Sequence, residues 1–318
     1  MRKVLRASGV EDWEVGDLDF GVEWRLGVKR EVSNLLRRGC DVVKIDLEML
    51  EAGEGSLSPA FLELPGLETL NLGEAKVSGD LAVLAKSSRL RALNLKGSKV
   101  SGDVKCLESA SELRELHLSE TRVFGDLKAL ENARELTILN LEKTEVAGDI
   151  QALQDAWMMK ELRLSETKVV GDLTALQNMS QLVVLELDRT EVAGDIKALK
   201  DAKTMDKLSL SDVGVAGDLG VLQHMWKLRI LELGTTQVAG SIEALENLRQ
   251  IKLLDLSETK VTGDLKALAH ATKLNALDLS ETEVIGDLKA LKQATGLWQL
   301  HLVGTSIEGA ALSRSILT

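Results

Sequence analysis

The chain has 318 residues and a formal net charge of −11, with 44% hydrophobic residues but only 3% aromatic ones. The acidic balance argues against a nucleic-acid partner, because neutralising phosphates requires a basic face. Two cysteines, Cys40 and Cys106, are too few for a disulfide framework, which is typical of a reducing compartment. No signal peptide and no membrane-spanning run is recognisable, so we expect a cytoplasmic protein with no membrane partner.

The first part of the chain differs from the rest. Residues 1–41 contain no repeat, and Val28, Val32 and Leu35 fall on one face of a helix that Gly39 would end. We therefore expect residues 1–41 to be an N-terminal capping segment with a helix.

A Gly-Asp pair recurs every 23 residues from Gly79 to Gly286, with Gly240-Ser241 in the same series and Gly309-Ala310 closing it. Aligned on this glycine, the chain reads LxxLxLxxTxVxGDLxALxxAxx. The alternating LxL predicts a short strand with one buried face. Parallel strands need a crossover, and each 23-residue coil contains one. A single coil cannot bury its leucines, so neighbouring coils must stack.

The segment LxxLxLxxTxV resembles the signature of the leucine-rich repeat family. The GDL that follows is similar to the LxGxIP continuation of the plant-type class, here with Asp at the polar position and no proline. The resemblance covers residues 42–312. It implies an α/β fold, a right-handed solenoid with a parallel sheet on the concave face and short helices or 3₁₀ turns on the convex face. Residues 313–318 remain as a short C-terminal tail, and the end of a solenoid exposes a sheet edge. Either this tail suffices to cover the edge, or a partner or further sequence covers it, and self-association through the edge is one such arrangement.

Two repeated polar columns look like sites but are predicted to be structural. The Thr column, which includes Thr144 and Thr167, is expected to turn inward and hydrogen-bond backbone rather than form an ice-binding or nucleophilic ladder. In the Gly-Asp column, Gly permits the turn and Asp caps the helix that follows. A calcium ladder is the alternative for the Asp column.

Charges on either side of the Thr column alternate in sign from coil to coil. This pattern predicts that opposite charges face each other across coils and favour one stacking register. The residues are Glu120, Lys143, Glu166 and Arg189 before the threonine, and Arg122, Glu145, Lys168 and Glu191 after it.

The fifth position of each strand points outward from the concave face, and this column becomes acidic in its second half. A basic protein segment or peptide would complement it, although the column is also compatible with a merely solvated surface. A metal site at Asp255, Asp278 and His301 is the less favoured interpretation, because parallel side chains do not converge. The predicted protein-binding residues on this face are Arg163, Glu186, Asp188, Glu232, Asp255, Asp278 and His301.

Trp157 and Trp226 occupy one convex position three coils apart, and we count both as candidate contacts, with packing over the coil edge as the alternative. No Ser, Cys or Thr has a His and an acid at workable spacing, so no enzyme, catalytic residue, metal or cofactor is predicted. The sequence favours a non-catalytic protein-binding module. The alternative is an assembly subunit that uses its open C-terminal edge and the convex tryptophans.

Overall fold

The computed structural model describes residues 4–7, 13–14, 42–46, 55–57 and 66–309. Contacts between Cα atoms divide the chain into two compact units, residues 1–159 with 166–169 and residues 160–165 with 170–318. The predicted N-terminal helix, Cys40 and the C-terminal tail lie outside the described residues.

The LxL segment of each coil forms a short strand, as predicted, and these strands make the first sheet. Its strands pair in parallel and in the 23-residue register, for example Leu231 with Leu254 and Leu254 with Leu277. In the first unit the strands are Val42–Asp46, Thr69–Asn71, Ala92–Asn94, Glu115–His117 and Ile138–Asn140, with Val4–Ala7 antiparallel to Val42–Asp46 and to Trp13–Glu14. In the second unit they are Glu161–Arg163, Val184–Glu186, Lys207–Ser209, Ile230–Glu232, Leu253–Asp255, Ala276–Asp278 and Gln299–His301.

The leucines between the outward residues of these strands form the core. Leu116, Leu139, Leu208 and Leu231 have no exposed surface. Burying one such side chain stabilises the fold by about 1.5–3 kcal/mol, and the gain recurs in every coil. Stacking of coils therefore fixes the direction in which the residues between the leucines point.

Each Gly-Asp pair leads into a short 3₁₀ helix, and the predicted capping role of Asp is confirmed. Asp103 Oδ1 accepts a hydrogen bond from the backbone N–H of Lys105 at 2.8 Å, and the other coils repeat this geometry. The helices are Leu81–Leu84, Val104–Leu107, Leu127–Leu130 and Ile150–Leu153 in the first unit, and Leu173–Leu176, Ile196–Leu199, Leu219–His224, Ile242–Leu245, Leu265–Leu268 and Leu288–Gln293 in the second. Among the described residues, no helix is long and apolar enough to cross a membrane.

A second parallel sheet, which the sequence analysis did not predict, is formed by the xVxGD segments. Its strands are Gly55–Ser56, Val77–Asp80, Lys99–Asp103, Arg122–Asp126, Glu145–Asp149, Lys168–Asp172, Glu191–Asp195, Gly214–Asp218, Gln237–Ser241, Lys260–Asp264, Glu283–Asp287 and Ser306–Glu308. Lys168–Asp172 contributes residues to both units.

The second sheet is staggered, so that residues 21 apart are paired, such as Phe124 with Glu145. The charge pattern predicted that Arg122 lies directly opposite Glu145, but Glu145 is paired with Phe124 instead. The long side chain of Lys168 still forms an ion pair with Glu145. For the charges that follow the threonine, opposite charges therefore do not lie directly across from each other in the ladder, although Lys168 and Glu145 still pair.

The Thr column behaves as predicted. The hydroxyl of Thr144, a residue that is 5% exposed, donates to the carbonyl of Leu141 at 2.7 Å, and Thr121 and Thr190 make the same bond within their own coils. Buried hydroxyls that already donate to backbone form neither a nucleophile nor an outward ladder.

Candidate protein-binding face of the first sheet

The second unit brings the predicted acidic column together. Glu232 pairs with Asp255, Asp255 with Asp278, and Asp278 with His301 on consecutive parallel strands. Their spacing is therefore that of neighbouring strands, about 4.8 Å. Glu232, Asp255 and Asp278 are half-buried rather than fully projecting, and His301 is exposed.

Asp255 and Asp278 also have a structural role that the sequence analysis missed. Each Oδ1 accepts a hydrogen bond at 2.9 Å from the backbone N–H two residues later, on Ser257 and Ser280. Such side-chain bonds to the chain's own backbone are typical of Asn and Asp at turns. Asn71, Asn94 and Asn140 do the same in the first unit. The high frequency of Asn and Asp at this position of the repeat is the feature of the sequence that could have predicted these side-chain-to-backbone hydrogen bonds.

At the other end of the column, carboxylates are partly neutralised by cations. Glu186 lies 3.6 Å from Arg163 Nε and 3.0 Å from Lys207 Nζ, while Lys207 also lies 3.9 Å from Glu232. Arg163 further pairs with Glu161. Lys207 was not among the predicted residues, because it lies two residues before the column that the sequence analysis followed. The resulting alternation of charges makes this part of the face less acidic than predicted.

Asp188 belongs to a hydrogen-bond network rather than to a free acidic surface. Its Oδ2 accepts from the Ser165 hydroxyl at 3.0 Å, and its Oδ1 accepts from the Ser211 backbone N–H at 2.9 Å. The Ser209 hydroxyl lies 2.8 Å from both Asp188 Oδ1 and Glu232 Oε2, so it can donate to one of them at a time.

Asp255 is the carboxylate of the column that is best placed to attract a cation. Among residues 66–309, no cation lies within 4.0 Å of it, whereas Asp278 Oδ2 lies 3.0 Å from His301 Nδ1. On the strands that carry Glu232 and Asp255, the residue two positions earlier is apolar. Ile230 pairs with Leu253 there, and both are half-buried.

The described residues contain no cluster of metal-ligating side chains. In this part of the chain, no three His, Cys, Asp or Glu side chains are grouped as metal ligands. Burial raises the pKa of the Cys106 thiol to about 12, and its Sγ donates to the Leu81 carbonyl at 3.4 Å. A thiol held protonated at neutral pH is a poor nucleophile.

The two predicted tryptophans are exposed, Trp157 by 56% and Trp226 by 59%. Each lies in the turn that leads into the next strand of the first sheet. Lys227 Nζ lies 5.2 Å from the centre of the Trp226 ring, at cation–π distance. Their role as contacts stays a prediction.

Comparison with known proteins gives a consistent picture of the fold. No family model and no curated protein matches the sequence. Among solved structures, the chain is similar to the Arabidopsis receptor kinase HAESA in complex with the peptide hormone IDA and the co-receptor SERK1, with 19% identity and a TM-score of 0.72, over 88% of this chain and 51% of that one. It is also similar to an internalin (inlF) from Listeria monocytogenes, with 19% identity and a TM-score of 0.60, over 96% and 97% of the two chains.

A plant ice-binding protein matches as well, with 19% identity and a TM-score of 0.56, over 85% of this chain and 84% of that one. The chain spans about half or less of the length of several plant receptor chains that it matches. The chain therefore has the leucine-rich-repeat solenoid fold that its sequence motif predicted.

Proposed function

We propose that the chain is a non-catalytic module that binds a protein or peptide on the outward, partly acidic face of its first sheet. The observation that supports this proposal is the pair of parallel columns in the second unit, apolar at Ile230 and Leu253 and acidic at Glu232, Asp255 and Asp278. An extended segment lying across these strands would meet apolar and anionic groups side by side.

The expected partner segment carries a basic residue next to an aliphatic one. Asp255 lacks a cation within 4.0 Å among the described residues, so a Lys or Arg of the partner would gain an ion pair without displacing one. Glu186 already has two cations nearby and would contribute less. HAESA, which is similar in fold, is described in complex with a peptide hormone, and this supports a peptide as one class of partner. One matching structure is the ectodomain of a plant membrane receptor kinase, so the comparisons do not support the predicted cytoplasmic location.

The test uses charge removal that keeps the local hydrogen bonds. Asp255→Asn and Asp278→Asn retain the acceptor for the backbone N–H, as Asn94 does naturally, and Glu232→Gln completes the triple variant. Peptides selected by display against the wild-type chain should be rich in Lys or Arg beside Leu, Ile or Val. The triple variant should bind them at least tenfold more weakly at low salt, and wild-type binding should weaken as salt rises.

A matched control removes three exposed carboxylates elsewhere, in the variant Glu131→Gln/Glu246→Gln/Glu283→Gln. It should leave binding within twofold of wild type. Equal losses in both triple variants would show that net charge alone matters, and selected peptides without basic residues would contradict the proposed site.

A further inference from the structure

A second surface of the second unit has the opposite charge. Six exposed residues define what we call the basic edge, Trp226, Lys227, Arg249, Lys252, Lys273 and Trp298. They lie in the turns that lead into the strands of the first sheet. Backbone hydrogen bonds of 2.7–2.9 Å place these turns side by side. The N–H of Lys252 donates to the carbonyl of Arg229, that of Asn275 to the carbonyl of Lys252, and that of Trp298 to the carbonyl of Asn275.

The basic edge is cationic although the chain as a whole is acidic. Five consecutive coils, between residues 203 and 298, each contribute the three positions equivalent to Trp226, Lys227 and Arg229. These positions hold one carboxylate, Asp206, and six cations, namely Lys203, Lys227, Arg229, Arg249, Lys252 and Lys273. That carboxylate, Asp206, is bound by Arg229. Among residues 66–309, no carboxylate lies within 4.0 Å of the cations at 227, 249, 252 and 273. Lys273 Nζ donates instead to Gln250 Oε1 at 2.6 Å, and Lys227 lies over Trp226.

In the first unit, cations at the equivalent turn positions are paired with carboxylates. There Arg91 lies 2.7 Å from Glu112, and Arg114 lies 2.8 Å from Glu135. The carboxylates come from the same turns, one coil further along the chain. In the second unit the corresponding turn positions hold Gln250, Lys273 and Gly296, so these positions supply no carboxylate to the cations.

Two large apolar groups flank these cations. Trp226 is 59% exposed and Trp298 is 63% exposed. They lie three coils apart, a distance of roughly 15 Å at the spacing of neighbouring strands. Exposed Trp and Arg side chains are the residues most enriched where partners bind tightly, because they combine a large apolar surface with charge.

We propose that the basic edge binds an acidic segment of a protein partner, with Asp or Glu residues against Lys227, Arg249, Lys252 and Lys273 and an apolar side chain against a tryptophan. This surface and partner are distinct from those of the first-sheet face. A nucleic acid fits less well, because its dense charge would also meet the repulsion of a chain with a net charge of −11. In addition, Lys227 covers one face of the Trp226 ring, which leaves less room for base stacking.

The experiment uses the full chain and a library of synthetic 12-residue peptides with at least four acidic residues and one Leu, Ile or Phe. We expect the library to yield binders, and the variant Lys227→Gln/Arg249→Gln/Lys252→Gln/Lys273→Gln to weaken them at least tenfold at low salt. The variant Trp226→Ala/Trp298→Ala should weaken them at least fivefold at any salt concentration. Both sets of side chains are exposed, and circular dichroism verifies that the variants fold.

The matched control removes four exposed lysines of the 3₁₀ layer, in the variant Lys105→Gln/Lys128→Gln/Lys197→Gln/Lys292→Gln, and should leave binding within twofold. The first-sheet variant Glu232→Gln/Asp255→Asn/Asp278→Asn should also keep full binding, which separates this proposal from the one above. The proposal is overturned if the library yields no binder, or if the control weakens binding as much as the edge variant. It is overturned equally if a single-stranded oligonucleotide or phosphatidylserine vesicles bind the edge more tightly than any acidic peptide.

Discussion

Replacing Gly148 by alanine tests the packing that joins one coil to the next. Gly148 has a φ of +102°, which side-chain-bearing residues rarely adopt. A Cβ atom there would lie 2.4 Å from Asp126 Oδ1 and 3.0 Å from the Leu127 backbone nitrogen. Asp126 is the cap of the preceding 3₁₀ helix and accepts from the Lys128 N–H at 2.8 Å. The new methyl group therefore strains the backbone and also displaces the cap.

The magnitude follows from these two contributions. A strained backbone costs about 1–3 kcal/mol, and a lost cap costs about 0.5–2 kcal/mol. Replacing glycine by alanine also restricts the unfolded chain, which offsets about 0.4–1 kcal/mol. We expect Gly148→Ala to lower the free energy of unfolding by about 0.5–4.5 kcal/mol.

Gly296 is the matched control. Its φ is not positive, and a Cβ atom there would find its nearest neighbour, Asn275 Nδ2, at 3.8 Å. Gly296→Ala should therefore be neutral or stabilising by up to about 1 kcal/mol. Urea unfolding followed by far-ultraviolet circular dichroism gives the midpoint and slope for each variant. Equal midpoints for Gly148→Ala and Gly296→Ala would refute the reasoning.

A double-mutant cycle separates the two contributions at Gly148. Asp126→Ala removes both the cap and the carboxylate that a Cβ would contact. In that background Gly148→Ala should cost only the backbone strain, so the coupling between the two positions should be about 0.5–2 kcal/mol. A coupling near zero would show that Asp126 moves aside without losing its hydrogen bond.

Three further predictions concern backbone strain, titration and thiol reactivity. Glu120 has a φ of +58°, and Gly97 occupies the equivalent position one coil earlier. Glu120→Gly should therefore raise the free energy of unfolding by about 0.5–1 kcal/mol, whereas Glu131→Gly, at a helical φ, should lower it. Backbone N–H groups of Thr174, Lys266 and Lys289 lower the pKa of Asp172, Asp264 and Asp287. The stability that these carboxylates provide is complete above their ordinary pKa of about 3.9 and is lost as the pH falls through their lowered pKa in the folded protein. When the pH is lowered below about 4, the urea concentration at the unfolding midpoint should therefore decrease. Between pH 6 and 8 these three groups should not change that midpoint. In a Cys40→Ser background, iodoacetamide at pH 8 should alkylate Cys106 about a thousandfold more slowly than a free cysteine, and urea should abolish the difference.

The repeat made much of the fold predictable, because each local rule is stated many times over. Leucine alternation, the inward Thr144 and the capping Asp103 all follow from side-chain chemistry within one coil. The second sheet could not be predicted in this way, because Gly in the xVxGD segment is unfavourable in strands. These strands form only because the stacking of coils supplies the neighbouring strands with which they pair. The positive φ of Glu120 was not predicted either, although Gly97 and Gly304 at the equivalent position of other coils indicate a left-handed backbone there.

For the candidate sites, the sequence placed residues on a face but did not show their partners. The column from Glu232 to Asp278 is adjacent as predicted, yet the neutralisation of Glu186 by Lys207 depends on a residue in the neighbouring column. The basic edge was missed for a different reason. A net charge of −11 averages over surfaces of opposite sign, and the cations at Lys252 and Lys273 become a feature only when the turns are aligned in space.

The outward column shows how a repeat can change a side chain and still satisfy its backbone hydrogen bonds. Where the fifth residue is Asn or Asp, its side chain is committed to the backbone N–H two residues later. At Glu186 and Ser209 that commitment is absent, and the N–H groups of Asp188 and Ser211 are bound instead by Ser165 and Asp188 from the preceding coil. The substitution keeps the backbone satisfied and lets Glu186 pair with Lys207. At Glu186 and Ser209 the side chain is therefore not needed to satisfy the backbone of its own coil, because residues of the preceding coil bind the N–H groups.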